Sequence, residues 1–144
     1  MANTIITIEI AGAIKTALAA VVPAGTTIYA TGIQDTANAA EDKVSLPCAA
    51  ITVGECMPQQ YRSVLRAYPA RIEAATWYPE DKDQVDLYTI AHAVTQWLAE
   101  PSLSLTLAHW DAITMDSPPE LPAINDRTQM IAWNINVLTR KATS

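Results

Sequence analysis

Residues that could bind a metal or catalyse a reaction are few in this chain and widely spaced. His92, His109, Cys48 and Cys56 carry the nitrogen and sulfur ligands that zinc prefers. The spacing of these four residues matches no known zinc pattern, and the two histidines come from different segments. We therefore interpret the cysteines as reduced, buried small side chains, and we predict no metal site and no cofactor.

The densest group of carboxylates leads into a predicted helix. Glu80, Asp81, Asp83 and Asp86 supply the oxygen ligands that hard cations take. A small metal-dependent enzyme or nuclease could be built on the first three of them together with His92. Acidic side chains at such a position also cap free amides and complement the helix dipole. We favour helix capping, because the chain has no phosphate-binding glycine loop, nucleophile elbow or HExxH pair. No enzymatic activity is predicted.

The densest basic stretch contains Arg62, Arg66 and Arg71. The formal net charge of −6 argues against nucleic acid as the main partner, because a phosphate-binding face needs Lys and Arg in excess. It does not exclude a surface that DNA passes without binding. Arginine is enriched at subunit interfaces, where its guanidinium pairs with carboxylates, so an exposed or interfacial strand is the favoured interpretation.

The segment that must organise the rest is residues 83–100, DQVDLYTIAHAVTQWLAE. Its apolar residues recur at three- and four-residue spacing and predict one buried helical face: Leu87, Ile90, Ala91, Val94, Trp97 and Leu98. Polar side chains, among them His92, lie on the other side, and Pro101 cannot continue the helix. A second helix is predicted at residues 4–22, with Asn3 or Thr4 as its cap, although the alternation of Ile6, Ile8 and Ile10 also suits a strand.

Strand patterns fill most of the remaining chain. They cover residues 26–31, 46–55, 61–78, 103–115 and 131–140, and loops are predicted at residues 32–43 and 116–126. Pro69 removes a ladder donor, so its strand should be at an edge or bent there. The order helix, strands, helix, strands predicts one α+β domain over residues 1–144: a mostly antiparallel sheet with two helices packed on one face. No membrane-spanning run or secretory signal is predicted.

In this layout the chain resembles the tail terminator (tail completion) proteins of long-tailed bacteriophages. Five segments carry the resemblance: the helices IEIAGAIKTALAAVV and DLYTIAHAVTQWL, and the strands LPCAAITVGE, RAYPARIEAATWYP and DRTQMIAWNINVLTR. They cover nearly the whole chain. The resemblance is one of element order, and related neck and minor tail proteins share it. A binding module with an apolar pocket beneath the sheet is a further alternative.

The resemblance implies a structural virion protein. It would form a hexameric ring at the head-proximal end of the tail after assembly in the host cytoplasm. The ring would stop polymerisation of the tail-tube protein, present a surface to the head-completion or connector protein, and let genome DNA pass through its lumen without specific binding. Such a ring uses heterologous contacts.

Two features of the sequence suit those contacts. The polar side of the central helix carries Tyr88 and His92, and the proline-containing strand carries Tyr61, Arg62 and Arg66. These five residues are the predicted interface residues. The loops at residues 32–43 and 116–126 are candidates for contacts with the tube or the connector.

Overall fold

The computed structural model describes residues 5–30, 46–78, 80–125 and 127–141. The helices are α1 (Ile6–Ala19) and α2 (Val85–Ala99), with a short 3-10 helix at Pro58–Arg62. The strands are β1 (Thr27–Tyr29), β2 (Cys48–Val53), β3 (Leu65–Trp77), β4 (Ala108–Thr114), β5 (Ala123–Asn125) and β6 (Thr128–Lys141).

The N-terminal segment is a helix, not the alternative strand. The Ala-rich sequence favours this state, and the residues spaced four apart become fully buried: Ile10, Ile14 and Leu18. The alternating pattern does not persist, since Ile8 is 63% exposed. Ile5 occupies the cap position without a side-chain hydrogen bond, and the predicted caps Asn3 and Thr4 lie outside the described residues. Gly25 then adopts a φ of 91° in the turn towards β1.

The strands form one sheet in the order β1-β2-β3-β6-β4. β5 pairs with β6 on the same side as β4, because β3 occupies the whole opposite side of β6. Every pair is antiparallel except β1 with β2. The α+β class and the mostly antiparallel sheet are therefore confirmed, with the refinement that the sheet is mixed. The predicted loop at residues 32–43 connects β1 to β2 and lies outside the described residues.

Both helices pack on one face of this sheet. α1 lies over β1 and β2, and α2 lies over β3 and β6. Alternate residues of the two long strands point towards the helices, and the largest contributors to the core are Tyr68, Ile72, Ile131, Trp133, Ile135 and Val137. The predicted stripe of α2 faces them, with Leu87, Ile90 and Val94 almost completely buried. The period-2 and period-3.6 patterns thus identify the core faces correctly.

Pro69 is tolerated because it lies beyond the end of β2. β3 is an internal strand, yet its pairing with β2 ends at Ala70. The Gly54 N–H donates to the Pro69 carbonyl at 2.7 Å, and the Gln60 side chain accepts from the Ala67 N–H at 3.0 Å. The prediction that Pro69 lies at an edge is confirmed only for the side of β3 that faces β2. The other side of β3 pairs with β6 throughout.

Residues 101–107 are irregular, although the alternation of Leu103, Leu105 and Leu107 predicts a strand, and β4 begins only at Ala108. The Glu9 carboxylate accepts from the N–H groups of Thr106 at 3.1 Å and Leu107 at 2.9 Å. These donors therefore bind α1 instead of a neighbouring strand. In the part of the chain that the structure describes, no helix has the length and apolar character needed to cross a membrane.

Candidate functional site

The five predicted interface residues lie on two separate surfaces. Tyr61 and Arg62 belong to the 3-10 helix before β3, and Arg66 lies at the start of that strand. Tyr88 and His92 lie on α2, whose first turn is joined to the end of β3 through Asp81. A strand of 13 residues spans about 40 Å. The two groups therefore lie towards opposite ends of β3.

Tyr88 and His92 line a groove between α2 and residues 119–122, which we call the α2 groove. Its volume is about 490 Å³, and Ile131 and Trp133 of β6 contribute to its lining. Tyr88 is 50% exposed, and Leu121 on the opposite wall is 86% exposed. The Trp133 indole is fixed by donating to Thr95 Oγ1 at 3.2 Å. The predicted polar side of α2 thus faces an open groove in which Tyr88 and Leu121 are exposed, while Ile131 and Trp133 are buried at its floor.

The outer wall of the α2 groove is held in place by Glu120. Its N–H donates to the Ala132 carbonyl at 2.8 Å, and its carboxylate accepts from Arg71 at 2.6 Å and from Asn134 at 2.9 Å. These bonds stabilise the charged form and lower the pKa of the Glu120 carboxyl. The predicted exposed connection is therefore fixed to the sheet next to Leu121.

The second surface surrounds the start of β3, and we call it the β3-start surface. It is formed by exposed apolar side chains with two cations beside them: Met57, Tyr61, Val64 and Leu65, with Arg62 and Lys141. The Lys141 N–H donates to the Val64 carbonyl at 2.8 Å, so the end of β6 lies against this segment. Arg62 and Lys141 make no salt bridge within the described residues.

Arg66 holds the 3-10 helix in its position. Its guanidinium carbon lies 4.5 Å from the centre of the Tyr61 ring, and Nη2 donates to the Tyr61 carbonyl at 3.2 Å. The Tyr61 hydroxyl donates to Glu55 Oε1 at 3.0 Å, and this hydrogen bond raises the pKa of Tyr61. Of the three predicted residues here, Arg66 therefore positions the surface, while Tyr61 and Arg62 are the ones exposed on it.

Polar groups are satisfied unequally at the two ends of β3. Near its start, Arg66 Nε, Tyr68 OH and Trp110 Nε1 are buried and have no hydrogen-bond partner in the described residues. Near its end, the Asp81 carboxylate accepts four hydrogen bonds, from Thr76 Oγ1, the Asp86 and Leu87 N–H groups and Gln129 Nε2. Unpaired buried polar groups cost about 1–3 kcal/mol each, so the start of β3 is the less satisfied end.

The acidic cluster acts as a helix cap. Asp81 is 8% exposed and receives the N–H groups of Asp86 at 3.0 Å and Leu87 at 2.9 Å, two amides that α2 cannot pair internally. Glu80 pairs with Arg127 at 3.5 Å, on the surface. Within residues 5–30, 46–78, 80–125 and 127–141, no three His, Cys, Asp or Glu side chains lie close enough to hold a metal ion.

The cysteines and His109 form no metal-binding group within the described residues. Cys48 and Cys56 are buried thiols that are not joined to each other, and His109 is exposed on β4. Burial, reinforced by the nearby Glu73 carboxylate, raises the pKa of Cys48 to about 12. A thiol with such a pKa is protonated at neutral pH and is a poor nucleophile.

Sequence patterns did not identify Leu121, Val64 and Leu65 as surface residues. Leu121 lies in a proline-rich segment that shows no apolar periodicity of a strand or a helix. An apolar residue in such a connection could have been predicted to be exposed. Val64 and Leu65 have the pattern of the beginning of a strand, and only the structure shows them 64% and 50% exposed.

Comparison of the chain with protein-family models and with curated protein sequences gives no match.

Proposed function

We propose that the protein is a structural virion component that caps the tail tube of a long-tailed bacteriophage and stops its polymerisation. The observation that carries this proposal is the element order, with a helix and strands repeated twice and both helices on one face of the sheet. This is the arrangement expected from the resemblance to tail terminator proteins. The proposal includes a ring of copies joined at its far side to the head connector.

The surface chemistry supports assembly as the mode of action. Two separate surfaces expose large apolar side chains, with Tyr61 and Leu65 on one and Tyr88 and Leu121 on the other. Exposed apolar groups of this kind gain free energy when a partner removes them from water. Both surfaces are anchored by hydrogen bonds to the sheet, so little conformational entropy would be lost on association.

The mechanism in this proposal requires no reaction. A ring bound to the last turn of tube subunits would occupy the surface that the next tube subunit needs. Growth would then end for steric reasons, and the opposite face of the ring would form a new docking surface for the connector. The net charge of −6 is compatible with a lumen that DNA traverses without adhering.

The test is assembly of tail tubes with and without this protein. Purified tail-tube protein from the phage that encodes the chain would be polymerised, and tube lengths would be measured by negative-stain electron microscopy. We expect uncapped tubes to continue growing in fresh subunits and tubes with added protein to stop, with additional density at one end. Heat-denatured protein at the same concentration is the control.

The same experiment separates the alternatives. A neck or minor tail protein would bind tubes or connectors without arresting growth. Tubes that bind the protein and elongate at the uncapped rate would rule out the terminator role. Tubes that neither bind it nor stop would contradict the tail assignment altogether.

A further inference from the structure

Residues 116–122, which we call the strap, connect β4 to β5 along the side of β6 that faces away from β3. β4 pairs with β6 as far as Asn136, and β5 pairs with it from Met130 towards Thr128. Between these two points, no strand of the described residues is paired with this side of β6. The Glu120 N–H donates to the Ala132 carbonyl at 2.8 Å there. The strap therefore takes the place of a strand at this edge of the sheet.

The strap borders a concavity on each face of the sheet. On the helix side, Leu121 and its neighbours form the outer wall of the α2 groove above Trp133. On the other face, Asp116 lines a cleft of about 440 Å³ together with Arg71 and Asn134. Arg71 and Asn134 are paired in the register of β3 and β6, and Trp133, which precedes Asn134, faces the helices. Alternation along the strands thus places Arg71 and Asn134 on the face opposite the helices.

Polar groups, and not apolar packing, attach the strap to the sheet. Residues 116–121 are all exposed, and Leu121 is 86% exposed. The Glu120 carboxylate accepts from Arg71 Nη1 at 2.6 Å, from Arg71 Nη2 at 3.4 Å and from Asn134 Nδ2 at 2.9 Å. At the other end of the strap, Asn136 Nδ2 donates to Asp116 Oδ2 at 3.3 Å. Segments with few buried apolar contacts and with solvent-exposed hydrogen bonds open locally at low cost in free energy.

We propose that the Glu120 carboxylate is a latch that sets the position of the strap and thereby the width of the α2 groove. While Glu120 is paired with Arg71, the strap forms the outer wall of the groove and Trp133 at its floor is 1% exposed. Release of Glu120 lets the strap leave the edge of β6, which uncovers the Trp133 indole. The same step frees the Arg71 guanidinium in the cleft on the opposite face, so one ion pair couples the two faces.

The latch acts within a single copy and does not depend on the proposed function. It concerns the same groove that the predicted interface residues Tyr88 and His92 line. A partner that occupies the widened groove must first separate Glu120 from Arg71, and this separation reduces the partner's affinity. The ion pair therefore regulates how much of the groove a partner can reach.

The test is hydrogen exchange followed by NMR on the isolated chain. Two protons report on the two parts of the proposal: the residue 120 N–H, bonded to Ala132, and the Trp133 indole N–H, bonded to Thr95. Glu120→Gln keeps the size of the side chain and removes its charge. Glu80→Gln is the matched control, because Glu80 also forms an exposed pair, with Arg127 at 3.5 Å, that does not involve the strap. Circular dichroism would check that both variants fold.

We expect Glu120→Gln to accelerate exchange of both protons by the same factor, about fivefold, which is what an exposed ion pair contributes at most. Glu80→Gln should leave both rates unchanged. Exchange should be independent of urea below the unfolding transition, because local opening exposes little surface. Arg71→Gln should have the effect of Glu120→Gln, and the double variant should show no further acceleration, because both substitutions remove one interaction.

Three results would overturn the latch. An unchanged rate for the residue 120 N–H in Glu120→Gln would mean that other contacts hold the strap. A faster residue 120 N–H with an unchanged Trp133 indole would mean that the strap moves without opening the groove. An equal acceleration in Glu80→Gln would mean that the effect is one of overall charge. Tube lengths have no bearing on these rates, so the latch and the proposed function stand or fall separately.

Discussion

Asp81 connects the sheet to α2 through a single carboxylate. Thr76 at the end of β3 and Gln129 at the start of β6 donate to it from one side, and the first amides of α2 donate from the other. Burial alone would raise the pKa of Asp81, but the hydrogen bonds from the α2 amides and from Thr76 outweigh it, and the pKa is lowered. The charged carboxylate is therefore a stabilising part of the fold.

Replacing Asp81 with Asn should destabilise the protein by about 1–2 kcal/mol near pH 7, because the charge-assisted bonds to the helix amides are weakened. The lowered pKa means that the wild-type stabilisation is present above the unfolded-state pKa and is lost as pH falls through the folded-state pKa. The difference between the two proteins should accordingly shrink below about pH 4. Urea unfolding at several pH values measures it, and a difference that is independent of pH would contradict this role.

The choice of Asp81 among four neighbouring acids could not be made from the sequence. The position of the acidic cluster before the helix indicated that an acidic residue caps α2, and this is confirmed. Which one does so depends on Thr76 and Gln129, two residues brought together only when β3 pairs with β6. Their contact is between strands far apart in the chain, and local patterns contain no information about it.

At the scale of the element, the rotation of α2 about its axis decides which residues are available for assembly. The helix was predicted at residues 83–100 and extends from Val85 to Ala99, with its apolar stripe against the sheet. Periodicity could predict this because burial follows the 3.6-residue repeat. It could not predict the opposite wall at Leu121, since that position depends on the bonds from Glu120 to Arg71 and to the backbone of Ala132.

The same substitution at two adjacent residues of α2 should change the free energy of unfolding by very different amounts. Leu87 is fully buried and Tyr88 is 50% exposed. Leu87→Asp buries a carboxylate in the core and should cost about 4 kcal/mol or more, whereas Tyr88→Asp should change stability by no more than about 1 kcal/mol. Thermal unfolding followed by circular dichroism measures both.

Tyr88→Asp should also reduce association in sedimentation velocity while the monomer stays folded. Val85→Asp, at another exposed position on the same side of α2, is a second variant expected to behave in this way. If Tyr88→Asp unfolds the protein as Leu87→Asp does, then Tyr88 belongs to the core and its assignment to the groove is wrong.

At the scale of the whole molecule, the sheet order exceeds what the sequence patterns specify. Alternation assigned the buried faces of β3 and β6 correctly, but it does not choose neighbours, and the short β5 lies in a segment whose three prolines indicated only a connection. The parallel pairing of β1 with β2 depends on three residue pairs. Pairings between distant strands are fixed by the packing of the complete core, which is why the fold class was predictable and the strand order was not.

The distribution of charge over the molecule predicts that it does not retain DNA. Near the start of β3, Arg140 pairs with Asp111 at 3.1 Å and the Glu55 carboxylate accepts from Tyr61, whereas Arg62 and Lys141 make no salt bridge within the described residues. With a net charge of −6, phosphate binding would release few counterions. Fluorescence anisotropy with a labelled duplex at about 150 mM salt should detect no binding below about 100 µM protein, the weak end of the usual non-specific range.

A charge variant provides the comparison for this experiment. Replacing Asp83, Asp86 and Glu100 with Lys changes each position by two charges and brings the formal net charge from −6 to zero. All three side chains are exposed, so the fold should be retained. The variant should bind DNA measurably at low salt and lose that binding steeply as salt is added, because its new cations can contact phosphates. Tight wild-type binding with the same salt dependence as the variant would mean that the protein presents a basic face. That face could not then form a lumen through which DNA passes freely.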